Sequence, residues 1–459
     1  MAMGKRKREE QGAFWIATGD LPQTGGHPFY LQVNKILEAA GFDRFVEERC
    51  RGFYAQKMGR PSLPPAMYFR MLLIGYFEGI DSERGIAWRL SDSLALRRFL
   101  GCALTDETAD HSTLSRTRRL IDVETHREIF VWVLQVLARH KLLDGKTTGV
   151  DATTLEANAA LRSIVRRDTK ESYQEFLTRL AKASGIETPT REDLVRIDKN
   201  RKNKGSNKDW EHPHEPDAKI TKMKDGRTHL AHKAEHAVDM NTGAIVAVTL
   251  QPANRGDTTS IAKTIDEVDK NLVAVMKDEA ACKQLSEQVL REVVADKGYH
   301  SNAVLKDHRE REIRTYISEP DRGDRNWKED AEAKEAVYGN RRRIRGERGK
   351  GLMRRRGELV ERSFAHCYDT GGMRRTHLRK HENILKRLLI HAAGFNLSLV
   401  LRKVMGLGTA RGLQGLLARI WAWIQSLWRD LWLYQDSCFG NFGIHYRRVD
   451  LFPTLRPAA

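Results

Sequence analysis

Thr147-Thr-Gly-Val-Asp-Ala-Thr-Thr-Leu-Glu156 is the stretch on which the fold class turns. Its threonines and valine favour extended backbone, and a period of two puts Thr148, Val150, Ala152 and Thr154 on one face and Asp151 and Thr153 on the other. A carboxylate in a strand otherwise built from Gly, Val, Ala and Thr is costly to bury unless it meets a cation or opens onto a cleft. Downstream, residues 229–238 and 244–250 have strand composition, and Asp239-Met-Asn-Thr-Gly243 supplies turn chemistry between them, so a hairpin is predicted. Helical spacing follows over residues 258–276 and again over 287–290. Val293-Val-Ala-Asp-Lys-Gly298 reads as a short buried strand ending in an acid and a glycine turn, and Arg314-Thr-Tyr-Ile-Ser318 as a further strand. After a polar, charged stretch a helix starts near Gly357 with Leu359, Val360 and Phe364, and the spacing continues through Ile384, Leu388, Ala392, Phe395 and Leu399. Strands and helices therefore mix from 147 onward, as α/β layering requires.

Upstream of Thr147 the apolar spacing is helical throughout: Leu31, Ile36 and Leu37, then Met67, Met71, Leu72 and Phe77, then Ile86, Leu90, Leu94 and Leu96, then Phe130, Val131, Leu134 and Leu137. The predicted order is a mobile basic tail over residues 1–20, an all-α N-terminal domain over 21–140, an α/β domain over 141–405 and a tryptophan-rich C-terminal helix and tail over 406–459. Residues 161–228 read as a basic, mostly helical insertion, because they interrupt the strand order; within it, Lys199-Asn-Arg-Lys-Asn-Lys-Gly-Ser-Asn-Lys208 is expected to be mobile and exposed. The tail, with Leu413, Leu416, Leu417, Ile420, Ile424, Leu427, Trp428 and Leu431, fits a packing or dimer helix.

The chain has 459 residues, and its 79 Lys and Arg against 61 Asp and Glu leave a net charge of +18, so a polyanionic partner, nucleic acid foremost, is expected. Five scattered cysteines form no zinc or redox pair and fit a reducing cytoplasm. The two most apolar stretches carry His391 and Asn396, or Arg419, Arg429 and Asp430, so no membrane span is predicted.

A cationic chain that handles nucleic acid directs attention to phosphodiester chemistry, in which two divalent ions about 3.5–4 Å apart activate the attacking oxygen and stabilise the leaving one. Hard cations want carboxylates. Asp151 lies inside a strand, Asp296 ends one, and Glu361 sits on a helix held to the core by Val360 and Phe364. Each also has a plainer reading: Asp151 paired with a core arginine, Asp296 an ordinary turn acid, Glu361 on a solvated face beside Arg362. Asp257, in Arg255-Gly-Asp-Thr-Thr259, reads as a helix N-cap rather than a fourth ligand. His212, His214, His229, His232 and His236 invite a zinc site, but strand alternation turns His229 away from His232 and His236, and no cysteine lies nearby. Ser112 is placed to cap a helix that presents Arg116, Arg118 and Arg119 to DNA, and Lys297 is placed to meet a phosphate. The run from Arg341 to Arg356 holds nine basic residues against Glu347 and is expected to be a surface stretch that tracks phosphates.

Gly149-Val-Asp-Ala-Thr-Thr-Leu-Glu-Ala-Asn158, Ala295-Asp-Lys-Gly-Tyr-His-Ser301 and Glu358-Leu-Val-Glu-Arg-Ser-Phe-Ala-His366, with Gly371-Gly-Met-Arg-Arg375 and Arg379-Lys-His-Glu-Asn383, resemble the DDE-class transposases of the insertion sequence four and five groups. Arg60-Pro-Ser-Leu-Pro-Pro65 and Asp110-His-Ser-Thr113 resemble the helical domain that precedes their catalytic core. The resemblance implies a ribonuclease H-like core, a mixed central sheet flanked by helices, with Asp151, Asp296 and Glu361 holding two Mg²⁺, or Mn²⁺ in their place. It further implies cutting and joining of double-stranded DNA at terminal inverted repeats and at a target, by a homodimer associated with the nucleoid in a bacterial cytoplasm. Arg341, Arg342, Arg343, Arg345, Arg354, Arg355, Arg356 and Arg362 would then contact DNA. Where many relatives carry tyrosine, arginine, glutamate and lysine, this chain has Arg354, Gly357, Glu361 and Tyr368, so only the glutamate carries over; Arg356, Arg362, Arg379 and Lys380 are candidates for the lost roles. An inactive DNA-binding derivative and a metal-dependent nuclease without joining activity remain as alternatives.

Overall fold

Local signals set most helix starts. In the computed structural model, which describes residues 27–55, 62–103, 105–201, 204–223, 226–321, 323, 325, 327, 330–410 and 412, seven helices precede the first strand: α1 (Pro28–Ala39), α2 (Phe42–Cys50), α3 (Pro65–Glu78), α4 (Glu83–Ser91), α5 (Leu94–Leu100), α6 (His111–Leu120) and α7 (Val123–Arg139). Proline occupies the first turn of α1 and α3, where its missing N–H costs nothing. Ser82, Ser93, Asp110 and Asp122 cap α4 to α7 by accepting a backbone N–H of the first turn. Asp110, not Ser112, caps α6: its carboxylate takes the Thr113 N–H at 2.7 Å, and the Ser112 hydroxyl merely donates to that carboxylate. α3 is buried nearly all round, Ala66 and the run from Tyr68 to Phe77 included, and forms the axis of the helical layer.

The α/β part follows as β1 (Thr147–Glu156), β2 (Val165–Arg166), α8 (Tyr173–Ala183), α9 (Arg191–Asn200), β3 (Trp210–Glu211), β4 (Lys219–Lys222), β5 (Thr228–Asp239), β6 (Ile245–Pro252), α10 (Asp257–Met276), α11 (Glu279–Cys282), β7 (Glu292–Ala295), α12 (Asn302–Glu310), β8 (Arg314–Ile317), α13 (Ala331–Arg345), α14 (Glu347–Phe364) and α15 (His381–Met405). β1 pairs antiparallel with β5 and parallel with β7, and β7 pairs parallel with β8. On its other edge β5 pairs with β6 and, at its start, with β4, so the sheet is mixed. The predicted hairpin is β5–β6, closed by Asp239, whose carboxylate accepts the Asn241 and Thr242 N–H groups. α10 covers one face through Ser260 and Thr264, which bond Glu235 and Thr249. α14 covers the other through Val360 and Ser363.

The excursion between β1 and β5 has its own small core of Ala157, Ile164, Phe176, Leu177, Trp210, Ala218, Ile220 and Leu230. Part of the basic run within it is anchored rather than free: the Asn207 amide exchanges two hydrogen bonds with the Ile220 backbone at 2.7 and 2.8 Å. Two further expectations are corrected. Residues 287–290 form bends and turns, not helix, and Leu290 at φ +48° lies outside the right-handed helical region. The Arg341–Arg356 run does not merely precede the helix of Glu361: it finishes α13 and forms most of α14, which begins at Glu347 instead of near Gly357. Arginine is a good helix former, and Gly346 alone separates the two helices.

The described residues of Met1–Gly408 form one compact unit, the first of two along the chain. Within the first, α15 packs on α3, α7 and β6, so the helical layer and the sheet share a core. α15 is long and apolar enough to cross a membrane, but 89% of its most apolar window is buried in the fold, as in a core helix. The readings made for residues 1–20, the tryptophan-rich tail and Cys438 fall outside the described residues.

His126 of α7 sits wholly buried between Tyr68 and the Asp122 carbonyl, with ring nitrogens 3.2 and 2.6 Å from them. Burial lowers its pKa from 6.5 to about 3, so the native ring stays neutral while the unfolded chain takes up a proton below 6.5. Stability therefore falls as pH drops from 6.5 toward 3. Urea unfolding at pH 7.5, 6 and 5 should show this decline, and His126→Gln should flatten it by up to about 1.4 kcal/mol per pH unit.

Candidate active site

Parallel pairing brings two of the three expected acids together. The last rung between β1 and β7 joins Gly149 to Val294, and Asp151 and Asp296 each lie two residues beyond it, level with one another at the carboxyl end of β7. Open α/β sheets place ligands at such ends. Asp296 opens a 3₁₀ turn over Lys297–Tyr299, and its Oδ1 accepts the Gly298 N–H at 2.9 Å. Burial, followed by the charge of Asp151, pushes its carboxyl above the usual aspartate range. Two carboxylates held this close resist being ionised together, and a cation between them relieves the conflict.

The chain supplies part of that cation itself. Arg356 of α14 reaches down to Asp151, Nη1 to Oδ2 at 2.6 Å, with the arginine side chain only 12% exposed. Asp151 thus has the core-arginine partner of its plainer reading. Gly149 makes room: a Cβ there would stand 2.6 Å from the Met240 sulfur and 3.2 Å from Arg356 Cγ.

Glu361 is not gathered with them. It lies on the same helix but is exposed, and among the described residues its carboxylate has no hydrogen bond or ion pair. The core face of α14 is Leu359, Val360, Ser363 and Phe364, and successive helix positions turn by about 100°, so Glu361 points to the flank. Among the described residues no group of three histidines, cysteines or acids stands close enough to hold a metal ion.

α14 is clamped in this orientation by a buried chain of hydrogen bonds. Ser363 gives its hydroxyl hydrogen to the Val360 carbonyl, so His236 Nδ1 must be the donor in its 2.8 Å contact with Ser363, and Nε2 accepts from Tyr368 at 2.6 Å. His236 is the register partner of Asp151, and burial lowers its pKa to about 3, which keeps the ring neutral. Tyr368 lies in the π-helical turn Ala365–Thr370 that continues α14. Just beyond, Arg374 donates to Thr153, on the face of β1 that carries Asp151.

Two transposase families account for most of the chain. The Transposase domain (DUF772) model matches residues 22–120, and the Transposase DDE domain model matches residues 207–397, together more than half of the sequence. The chain belongs to the DDE-class insertion-sequence transposases. No curated protein and no solved structure matches it. Membership makes it a nucleic-acid-processing enzyme of a family that generally uses divalent metal ions. Asp151 and Asp296 fit such an ion as hard oxygen donors whose mutual repulsion it would relieve.

The basic residues expected at DNA divide by direction. Arg116, Arg119, Lys297, Arg342, Arg345, Arg354, Arg355 and Arg362 are exposed. Arg118 is instead buried and paired with Glu83 at 2.7 Å, which ties α6 to α4 and removes it from the surface. Arg341 forks onto Glu319, Arg343 donates to the Thr315 carbonyl, and Arg356 is engaged by Asp151, so these three are held within the chain. Sequence reasoning also misplaced Asp257. Gly256 precedes α10 and the Asp257 side chain caps nothing; its Oδ1 binds Lys233 Nζ at 2.6 Å, a lysine only 4% exposed on β5. Lys233 and Glu235, two residues apart and therefore on one face of a strand, were the available signal.

Arg356→Leu leaves Asp151 without its guanidinium partner and should cost about 1–3 kcal/mol of stability in metal-free buffer. Added Mg²⁺ should then raise the melting temperature of the variant more than that of the wild type, since no arginine has to be displaced. Equal shifts in the two proteins would show that Arg356 and the cation do not share Asp151.

Proposed function

We propose that the protein cuts and joins double-stranded DNA at the terminal inverted repeats of an insertion sequence, using Asp151, Asp296 and Glu361 with two Mg²⁺ ions, which Mn²⁺ can replace. The observation that carries this reading is the level placement of Asp151 and Asp296 on neighbouring parallel strands inside a family of DNA-transposing enzymes. The sheet supports a ribonuclease H-like core: a hairpin-linked antiparallel trio, β1, β5 and β6, extended on the other side of β1 by β7 and β8 in parallel. The net charge of +18 supports a DNA partner; action as a homodimer at the bacterial nucleoid is part of the same proposal.

Bound divalent ions would activate the attacking oxygen and stabilise the leaving one. The chain's own part is positional. Asp151 and Asp296 fix the place of the ions, held by the sheet and by the Gly298 N–H. Glu361, on the helix that packs against β1, β5 and β7, is the third carboxylate of this reading and has to turn inward from the flank of α14 to join the other two. Arg356, once free of Asp151, has its guanidinium at the same spot to meet a phosphate, taking the arginine role that Gly357 cannot fill. The exposed arginines of α14 and Lys297 grip the DNA flanking that spot.

Asp296→Ala should lower strand cleavage by at least about a thousandfold while leaving DNA affinity nearly unchanged. Glu361→Gln should do the same if Glu361 is the third ligand; retained cleavage would remove that residue from the assignment. A strand-transfer assay with a free 3′ hydroxyl end separates joining from cutting alone. Replacing both Arg354 and Arg355 by Ala should weaken DNA binding and flatten the dependence of log K on log salt by up to about 1.8.

A further inference from the structure

Asp257 behaves unlike an ordinary acid at a helix start. A carboxylate in the first turn commonly turns back onto the free N–H groups there, but that of Asp257 makes no cap. It points sideways, between two elements. Oδ1 takes Lys233 Nζ at 2.6 Å. Oδ2 faces Gly298: a Cβ on that glycine would stand 2.5 Å from Asp257 Oδ2 and 3.1 Å from Asp296 Oδ1, so only the missing side chain lets the two carboxylates flank one residue.

The lysine that holds Asp257 already has a counter-charge. Lys233 Nζ lies 3.1 Å from Glu235, which is wholly buried and receives hydrogen bonds from Ser260, Thr264 and Tyr299. Its other contacts, the Ser260 hydroxyl and the Arg255 carbonyl, are neutral. Around Asp296 the chain therefore gathers Asp151, Asp257 and Glu235 against Lys233 and Arg356. Lys263 also lies in the field of Glu235, so with Asp296 itself four acids face three bases and an excess of negative charge is left. Such an excess weakens the empty fold, and its presence beside Asp296 needs a purpose other than packing.

We propose that Asp257 is a positioning residue of the site, a fourth acid that Lys233 holds beside Asp296 so that its charge raises the affinity of Asp151 and Asp296 for a divalent cation. The inference rests on the reading that those two acids bind such a cation. Asp257→Asn keeps the size of the side chain and an acceptor for Lys233 but removes the charge. With the full-length protein, Mn²⁺ binding followed by electron paramagnetic resonance should be about tenfold weaker in this variant. The concentration of Mg²⁺ needed for half-maximal cleavage should rise in parallel, and the metal-free melting temperature should stay level or rise. Asp257→Ser, which also drops the charge, serves if the amide variant does not fold. Gly298→Ala, which crowds the carboxylates of both Asp257 and Asp296, should weaken Mn²⁺ binding, and by less when Asp257 is already Ala. An Asp257→Asn protein that melts lower yet binds Mn²⁺ as the wild type does overturns the proposal, since Asp257 is then only a clamp for Lys233. If Asp296→Ala weakens Mn²⁺ binding and Asp257→Asn does not, this inference alone fails. If the wild type binds no Mn²⁺, or Asp296→Ala binds it undiminished, the reading of the site fails with it.

Discussion

Two like charges are forced level by the pairing of β1 with β7, and the rest of the site answers that constraint. Parallel strands in register carry Asp151 and Asp296 to the same height beyond their last shared rung. Neither can move away without breaking the sheet. Arg356 neutralises one of them, and its stem lies over Gly149, where any larger residue would lift it. The Gly298 N–H stabilises the other. A pair of acids so restrained would bind a cation at no further cost for their approach.

α14 joins this site to the fold. Its inner face packs into the core, and the Ser363–His236–Tyr368 chain fixes its rotation about its own axis. The same bonds decide which residues face outward, Arg354, Arg355, Glu361 and Arg362 among them. On the opposite face of β5, Lys233 and Glu235 tie the strand to α10 and bring Asp257 to Asp296. Each face of the sheet thus delivers one charged group to the end of β7.

The helical layer is joined to the sheet by α15 through polar as well as apolar contacts. Asn396 exchanges hydrogen bonds with the Ile245 backbone at 2.9 and 2.8 Å, Lys386 donates to the Arg118 carbonyl, and Arg387 donates to the Ile80 carbonyl. Directional bonds of this kind set the register of one layer on the other, which an apolar contact alone does not. The exposed arginines of α6 are held by these bonds in a fixed relation to the acids of β1 and β7.

The amino-acid sequence by itself determined the extended run 147–156, the hairpin after residue 228, the helices before Thr147 and the acid at the end of a short buried strand. All of these are written in local periods of two or 3.6 residues and in turn chemistry, which neighbours along the chain express without help. Only the tertiary structure decided where the long charged side chains point. Arg356 meets Asp151 across 205 residues, Lys233 meets Asp257, Arg118 turns inward to Glu83, and Glu361 faces the flank of a helix whose start lay ten residues earlier than its apolar pattern suggested. A flexible charged side chain takes its direction from the partner of lowest free energy, and when that partner lies on another element, no local pattern can name it.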